Sequence, residues 1–124
     1  MEAPRVQPTA GAAALSVLVV DDDELVTEVV RRMLAVSGAR VDVATGLVEA
    51  RAALAEHDYG AVVVDLRLTD GYGADLIPEL RRRGIRVVVL SGDGEQVVEG
   101  AHVTLAKPVD SSVLIAAVTG ADSA

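Results

Sequence analysis

At 124 residues and 12.8 kDa the chain is the size of one compact domain, and 51% hydrophobic against 24% charged residues is globular rather than disordered composition. The absence of cysteine excludes a disulfide scaffold, a thiolate metal site and a cysteine nucleophile, and a formal net charge of -8 (11 basic against 19 acidic residues) argues against binding nucleic acid through its phosphates. With no Phe or Trp and only Tyr59 and Tyr72, the core has to be aliphatic, and no apolar run approaches the roughly 20 residues that cross a bilayer.

Residues 1–14 (MEAPRVQPTAGAAA) mix Pro, Gly, Ala and polar residues without a period and lack a signal peptide's apolar stretch. They read as a disordered tail before a domain over 15–120, with 121–124 as a short tail, and the expected location is the cytoplasm. Ser16–Val20 (SVLVV) is a short apolar run, followed by helical spacing over Glu24–Ser37, where Val26, Val29, Val30, Met33 and Leu34 make one stripe and Gly38 a stop. Arg40–Ala44 is a weaker, alternating strand, and Leu47–Glu56 a helix rich in Ala and Leu. Ala61–Val64 is again apolar throughout. Ala74–Arg83 reads as a helix ending in three arginines; Pro78 fits if the helix proper begins near Ile77 or its first turns are irregular. Val87–Leu90 and Val103–Ala106 are two more apolar runs, and Ser111–Val118 is a last helix capped by Asp110 or Ser111. Strands apolar on both faces belong to parallel sheets covered by helices. The predicted fold is therefore α/β, a doubly wound five-stranded parallel sheet with helices on both faces.

In such a sheet ligands bind beyond the carboxyl ends of the strands. Asp21-Asp22-Asp23 follow the first run, Asp65 the third, Ser91-Gly92 the fourth and Lys107-Pro108 the fifth. Each has a bland reading: a helix cap for the aspartates, Asp23 above all; a turn for Ser91; a solvated loop charge for Lys107. Asp65 is harder to dismiss, because it interrupts an apolar run and a buried carboxylate needs a partner. Carboxylates about 4 Å apart repel by roughly 4 kcal/mol at an effective dielectric near 20, a large share of a stability of about 5–15 kcal/mol. Lys107 relieves part of this. Oxygen ligands without Cys or paired His then favour Mg²⁺ (or Mn²⁺) over Zn²⁺. Asp65 becomes the candidate nucleophile of an aspartyl-phosphate, with the metal and Lys107 offsetting charge on the transferred oxygens. A pocket this self-repelling predicts that Asp21→Ala or Asp22→Ala stabilises the metal-free fold.

The four segments VLVVDDDELV, VVVDLRLTDGYGADLIPEL, VVVLSG and LAKPVD resemble the receiver domain of bacterial two-component response regulators, in its single-domain form similar to the chemotaxis response regulator. The match runs from about Leu15 to Val118. It implies a flavodoxin-like strand order 2-1-3-4-5. It implies that Asp65 is the phosphoacceptor, and that Asp21, Asp22, Asp65 and the backbone carbonyl of Arg67 bind Mg²⁺. Ser91 matches the hydroxyl that bonds the phosphoryl group, Lys107 the lysine that pairs with it, Pro108 a usually cis-linked proline, and Gly92 the small residue that keeps the site open. Three departures stand out. Thr104 occupies the usual aromatic switch position; the stretch between Ser91 and Lys107 is short by roughly six residues, which leaves a shortened fourth helix within Gly94–Gly100; and Thr69 replaces the usual Pro.

The resemblance implies a stand-alone receiver that takes a phosphoryl group from a histidine kinase or histidine phosphotransfer protein. It would signal by protein contact, relay or phosphate storage to an unknown downstream protein, as a monomer or weak dimer, away from membranes and nucleic acid. It would not be an enzyme beyond its own phosphorylation and dephosphorylation. The alternative is a pseudo-receiver, a phosphorylation-independent interaction module. A haloacid dehalogenase-type phosphatase is disfavoured, because Arg67 stands where its general acid would be. His57 and His102 read as structural, and Arg81-Arg82-Arg83 as a solvated helix end.

Overall fold

The computed structural model describes residues 15–92 and 98–120; the expected tails at 1–14 and 121–124 lie outside the described residues. In chain order the elements are β1 (Ser16–Val20), α1 (Glu24–Val36), β2 (Arg40–Ala44), α2 (Leu47–Glu56), β3 (Ala61–Asp65), β4 (Arg67–Leu68), β5 (Gly71–Tyr72), a 3₁₀ turn (Gly73–Leu76), α3 (Ile77–Arg82), β6 (Arg86–Ser91), β7 (Val103–Ala106) and α4 (Ser111–Thr119). The five longer strands form one parallel sheet ordered β2-β1-β3-β6-β7, which is the predicted order with the small β4–β5 pair left out. No helix among the described residues is long and apolar enough to cross a membrane.

Side chains alternate across a strand, so each apolar run feeds two cores. Leu18, Val20, Val62, Val64, Val87 and Val89 face α2, the 3₁₀ turn and α3. Val17, Val19, Val63, Val88 and Leu90 face α1 and α4, meeting Val30, Leu34, Leu114, Ala117 and Val118. Burying a Val or Leu side chain contributes about 1.5–3 kcal/mol, so the central strands supply most of the stability. Both layers are aliphatic apart from Tyr59, which is buried with its hydroxyl donating to Asp42 Oδ2 at 2.7 Å.

Several local expectations are refined. Of the predicted stripe of α1, Val30 and Leu34 are buried and Val26 and Met33 pack against the same core, joined by buried Thr27, whereas Val29 is 49% exposed. Thr27 can be buried because its hydroxyl donates to Glu24 O. Pro78 lies in the first turn of α3, where no intrahelical N–H is needed, and the 3₁₀ turn supplies the irregular lead-in. The two-residue hairpin β4–β5, too short for a periodic signal, stands between β3 and that turn. Asp110 is the N-cap of α4, accepting from Ser112 N and Val113 N. Of the arginine triplet, Arg81 donates to Gly100 O and Arg83 to Leu54 O, both at 2.9 Å, so two of the three tie α3 to its neighbours rather than facing solvent alone. The shortened fourth helix falls largely on residues 93–97, outside the described residues; residues 98–100 are not helical.

His102 joins the start of β7 to β6. Its N–H donates to Val87 O at 2.9 Å, and Val87 N–H donates to its Nδ1 at 3.0 Å, so the ring must be neutral at Nδ1. Partial burial, with Arg81 and Arg86 nearby, holds the imidazole pKa below its ordinary value.

This packing makes two predictions. A Cβ on Gly73 would lie 2.0 Å from Asp65 O, so Gly73→Ala should lower unfolding stability by about 1–3 kcal/mol in urea melts. For His102, a lowered folded-state pKa means the unfolded chain binds the proton first; this contribution is complete above the ordinary histidine range and declines as pH falls through the folded value. His102→Gln should therefore cost about 0.5–1.5 kcal/mol at pH 7.5, the size of one hydrogen bond, and the gap to wild type should close as melts are repeated toward pH 5.

Candidate functional site

Because the sheet is parallel, β1, β3, β6 and β7 all end on one edge, and the residues just past each strand are brought together there. The aspartate triplet divides three ways. Asp21 continues the ladder, its N–H donating to Ala44 O at 3.1 Å, and is fully buried. Its Oδ1 accepts Asp23 N–H at 2.9 Å. Asp22, half-buried, accepts Thr69 N–H on Oδ2 at 2.9 Å. Asp23 caps α1, as expected, accepting from Leu25 N and Val26 N.

Asp65 closes β3 and is 9% exposed. Lys107, just past β7, reaches back so that Nζ lies 3.1 Å from Asp21 Oδ2 and 3.2 Å from Asp65 Oδ2. One ammonium thus serves two buried carboxylates. Asp21, Asp22 and Asp65 each offer an oxygen within 4.8 Å of the others. Asp21 Oδ2 is fully buried, and among the described residues its one neighbour of opposite charge is Lys107 Nζ at 3.1 Å, which it shares with Asp65. Three clustered carboxylates, oxygen donors only and a single ammonium between two of them fit a small hard dication.

Ser91 ends β6, buried, and its carbonyl accepts Lys107 N–H at 3.0 Å, so the hydroxyl and the ammonium hang from bonded backbones. Gly92 is exposed, and among the described residues a Cβ there would meet nothing within 4 Å. The Lys107–Pro108 peptide is cis. Arg67, at the start of β4, gives its N–H to the Asp65 carboxylate. Thr104, half-buried, lies on β7 opposite Val89.

Burial first, then the charge of Asp21, raises the Asp65 pKa above its ordinary value, with Lys107 and the Arg67 amide opposing. For Lys107, burial works against the charge, but Asp21 and Asp65 outweigh it and its pKa is raised. An acid held near the cation and only partly neutralised is poised as an oxygen nucleophile. Beside it, Leu25, Val29, Met33, Lys107 and Pro108 help line an apolar groove of about 310 Å³, with Leu25 79% exposed at its rim.

Sequence reasoning missed the role of the 69–70 turn. The Asp70-Gly71 pair signals a turn, but Asp70's partners lie 22 and 23 residues away, beyond any local signal. Partners also bear on one expectation: Asp22→Ala would free the exposed Thr69 amide, a cost that offsets part of the relief from removing a like charge.

Residues 17–119 match the family model described as the response regulator receiver domain. The chain is 36% identical over 126 residues to the sensory/regulatory protein RpfC of Xanthomonas campestris, covering 90% of this chain and 17% of that protein. It is 36% identical over 110 residues to the acid tolerance regulatory protein ActR of Rhizobium meliloti, covering 82% and 57%. It thus spans only part of the length of both relatives. A response regulator from Burkholderia pseudomallei, solved with a phosphorylated aspartic acid, a calcium ion and citrate, superimposes with a TM-score of 0.75 at 27% identity, covering 89% of this chain and 73% of that one.

The raised Asp65 pKa has a testable sign. Its protonated form is favoured in the fold, so the stability it contributes is complete below the unfolded carboxylate value and is lost as pH rises through the folded one. Asp65→Asn, melted in chelator at pH 7, should be more stable than wild type, and the difference should shrink as pH falls through the folded value and level off near about 4, the ordinary range of an aspartate.

Proposed function

The chain belongs to the response regulator receiver family, and on that premise we propose that it accepts a phosphoryl group on Asp65 from the phosphohistidine of a histidine kinase or phosphotransfer protein, with Mg²⁺ (or Mn²⁺) held by Asp21, Asp22, Asp65 and the Arg67 carbonyl. The observation that carries this reading is the shared ammonium: Lys107 Nζ within 3.1 and 3.2 Å of two buried acids, one of them at the open end of β3.

An Asp65 carboxylate oxygen attacks phosphorus as the donor's P–N bond breaks, and the imidazole leaves with the electron pair. The dication, when bound, neutralises charge on the transferred oxygens. Lys107, already drawn toward Asp65, exchanges part of that pairing for a phosphoryl oxygen, and Asp21 retains it. The Ser91 hydroxyl, buried one residue past the Leu90 that pairs with Asp65, supplies a neutral donor to the same group. Water attack on phosphorus later restores the carboxylate and releases phosphate. The chain is its own substrate in this cycle rather than a turnover enzyme. The Burkholderia neighbour's phosphorylated aspartic acid and calcium ion support the assignment by analogy.

The apolar groove along α1 lies directly beside Lys107, so a helical donor seated there would present its histidine to the acid edge. Output would pass by protein contact. Thr104 lacks the bulk of an aromatic switch, so the signal need not travel by a ring moving inward.

Incubation with a small-molecule phosphodonor and Mg²⁺ should add one phosphoryl group to the wild-type mass. Asp65→Ala should add none, Lys107→Ala should reduce the yield at least about tenfold, and chelator should abolish it. An unmodified wild type would favour the pseudo-receiver reading, and modification that survives Asp65→Ala would overturn Asp65 as the acceptor.

A further inference from the structure

The tip of the β4–β5 hairpin stands between two groups remote in sequence. On one side Thr69 N–H donates to Asp22 Oδ2 at 2.9 Å. On the other, Asp70 accepts Leu47 N–H at 2.8 Å and Val48 N–H at 3.1 Å. Those two amides are orphan donors of α2, whose N-cap residue is Gly46 and has no side chain to satisfy them. Asp70 caps the helix from another part of the chain. Gly46 must be small for this, because a Cβ there would come within 2.7 Å of Asp70 Oδ1. The same two bonds hold the Asp70 carboxyl below its ordinary pKa. Gly71 then lies against Leu47, where a Cβ would meet Leu47 Cδ1 at 2.5 Å. The turn is therefore a fixed arm built on α2.

The arm presents a backbone N–H aimed at an acid of the cation cluster. The three carboxylates lie within reach of one ion while that bond is made. A carboxylate has about four lone-pair sites, so one N–H leaves room for a cation. Asp21 and Asp65 share Lys107, whereas Asp22 is half-buried beside two like charges that favour rotamers turned toward solvent. The Thr69 amide opposes that escape. It exists because residue 69 is not proline, the residue usual at this position, which has no N–H to give.

We propose that the Thr69 amide, anchored by Asp70 on the N-terminus of α2, is a positioning element for the divalent cation, holding Asp22 in its ligating orientation. This rests on the cation reading of the Asp21, Asp22 and Asp65 cluster. It also ties α2 to the state of the site, a connection that bypasses the segment between β6 and β7.

Thermal melts of the full chain across a MgCl₂ series test this through the midpoint of Mg²⁺ binding, the dissociation constant fitted to the rise in melting temperature, without reading phosphorylation. Thr69→Pro deletes the donor and Asp70→Ala the anchor. Each should raise that midpoint about tenfold or more, the range seen for groups that orient metal ligands. Asp70→Asn keeps one acceptor oxygen and should recover part of the loss. Asp110→Ala, which removes the cap of α4 and leaves the Thr69, Asp70 and Asp22 contacts in place, should lower stability without moving the midpoint. Should Thr69→Pro fail to fold, Asp70→Ala leaves every backbone donor in place and decides the matter. Wild-type midpoints in the folded variants, or an equal shift in Asp110→Ala, would overturn the positioning role and leave the cation site standing. A wild type indifferent to Mg²⁺ would overturn the cation reading and this proposal together.

Discussion

One ammonium between two buried carboxylates governs this molecule. Lys107 stands 3.1 Å from Asp21 and 3.2 Å from Asp65, with Asp22 completing the cluster, so the sheet's carboxyl edge carries more negative charge than it can neutralise from within. At these separations, opposite charges interact by several kcal/mol even at an effective dielectric near 20, comparable to the stability of the whole domain. The two aliphatic cores on either side of the sheet are what can hold such a cluster together, because they fix four strand ends without relying on the charges themselves. The residual charge is what the proposed chemistry would use, to draw in a cation beside a carboxylate placed to attack phosphorus.

The remaining polar groups on this edge each have a defined task. Asp23 caps a helix, the Ser91 carbonyl receives the Lys107 amide, and the Thr69 amide meets Asp22. Three adjacent aspartates that look redundant in one dimension thus point to three different partners. A local charge excess is tolerated in part because Asp21, Asp22 and Asp23 each also accept a backbone N–H.

Much of this is legible in the chain itself. Val17–Val20, Ala61–Val64 and Val87–Leu90 declare central parallel strands because they are apolar on both faces, and the polar residues just past them must then share an edge. Asp65 stands out because nothing else polar interrupts its run. Other features are hidden for physical reasons. A purely apolar count finds most of the inner stripe of α1 but passes over Thr27, which is polar by composition and satisfies itself against Glu24 O. The β4–β5 pair has no period to detect at two residues per strand. Asp70 capping α2 is a pairing across more than twenty residues, and Gly46, read alone, is only a weak cap. Arg81 and Arg83 likewise resemble a solvated helix end until their bonds to Gly100 O and Leu54 O are seen.

The backbone bond between Lys107 N and Ser91 O has a broader implication. The two side chains suited to grasp a phosphoryl group sit at the last rungs of adjacent strands, so their spacing is set by ladder register rather than by loop length. A slip of one residue would turn both away at once, whereas insertions or deletions in the connection leave them paired. Loop trimming between these strands is thereby uncoupled from the chemistry, and a lineage can remodel what the domain touches while keeping what it reacts with.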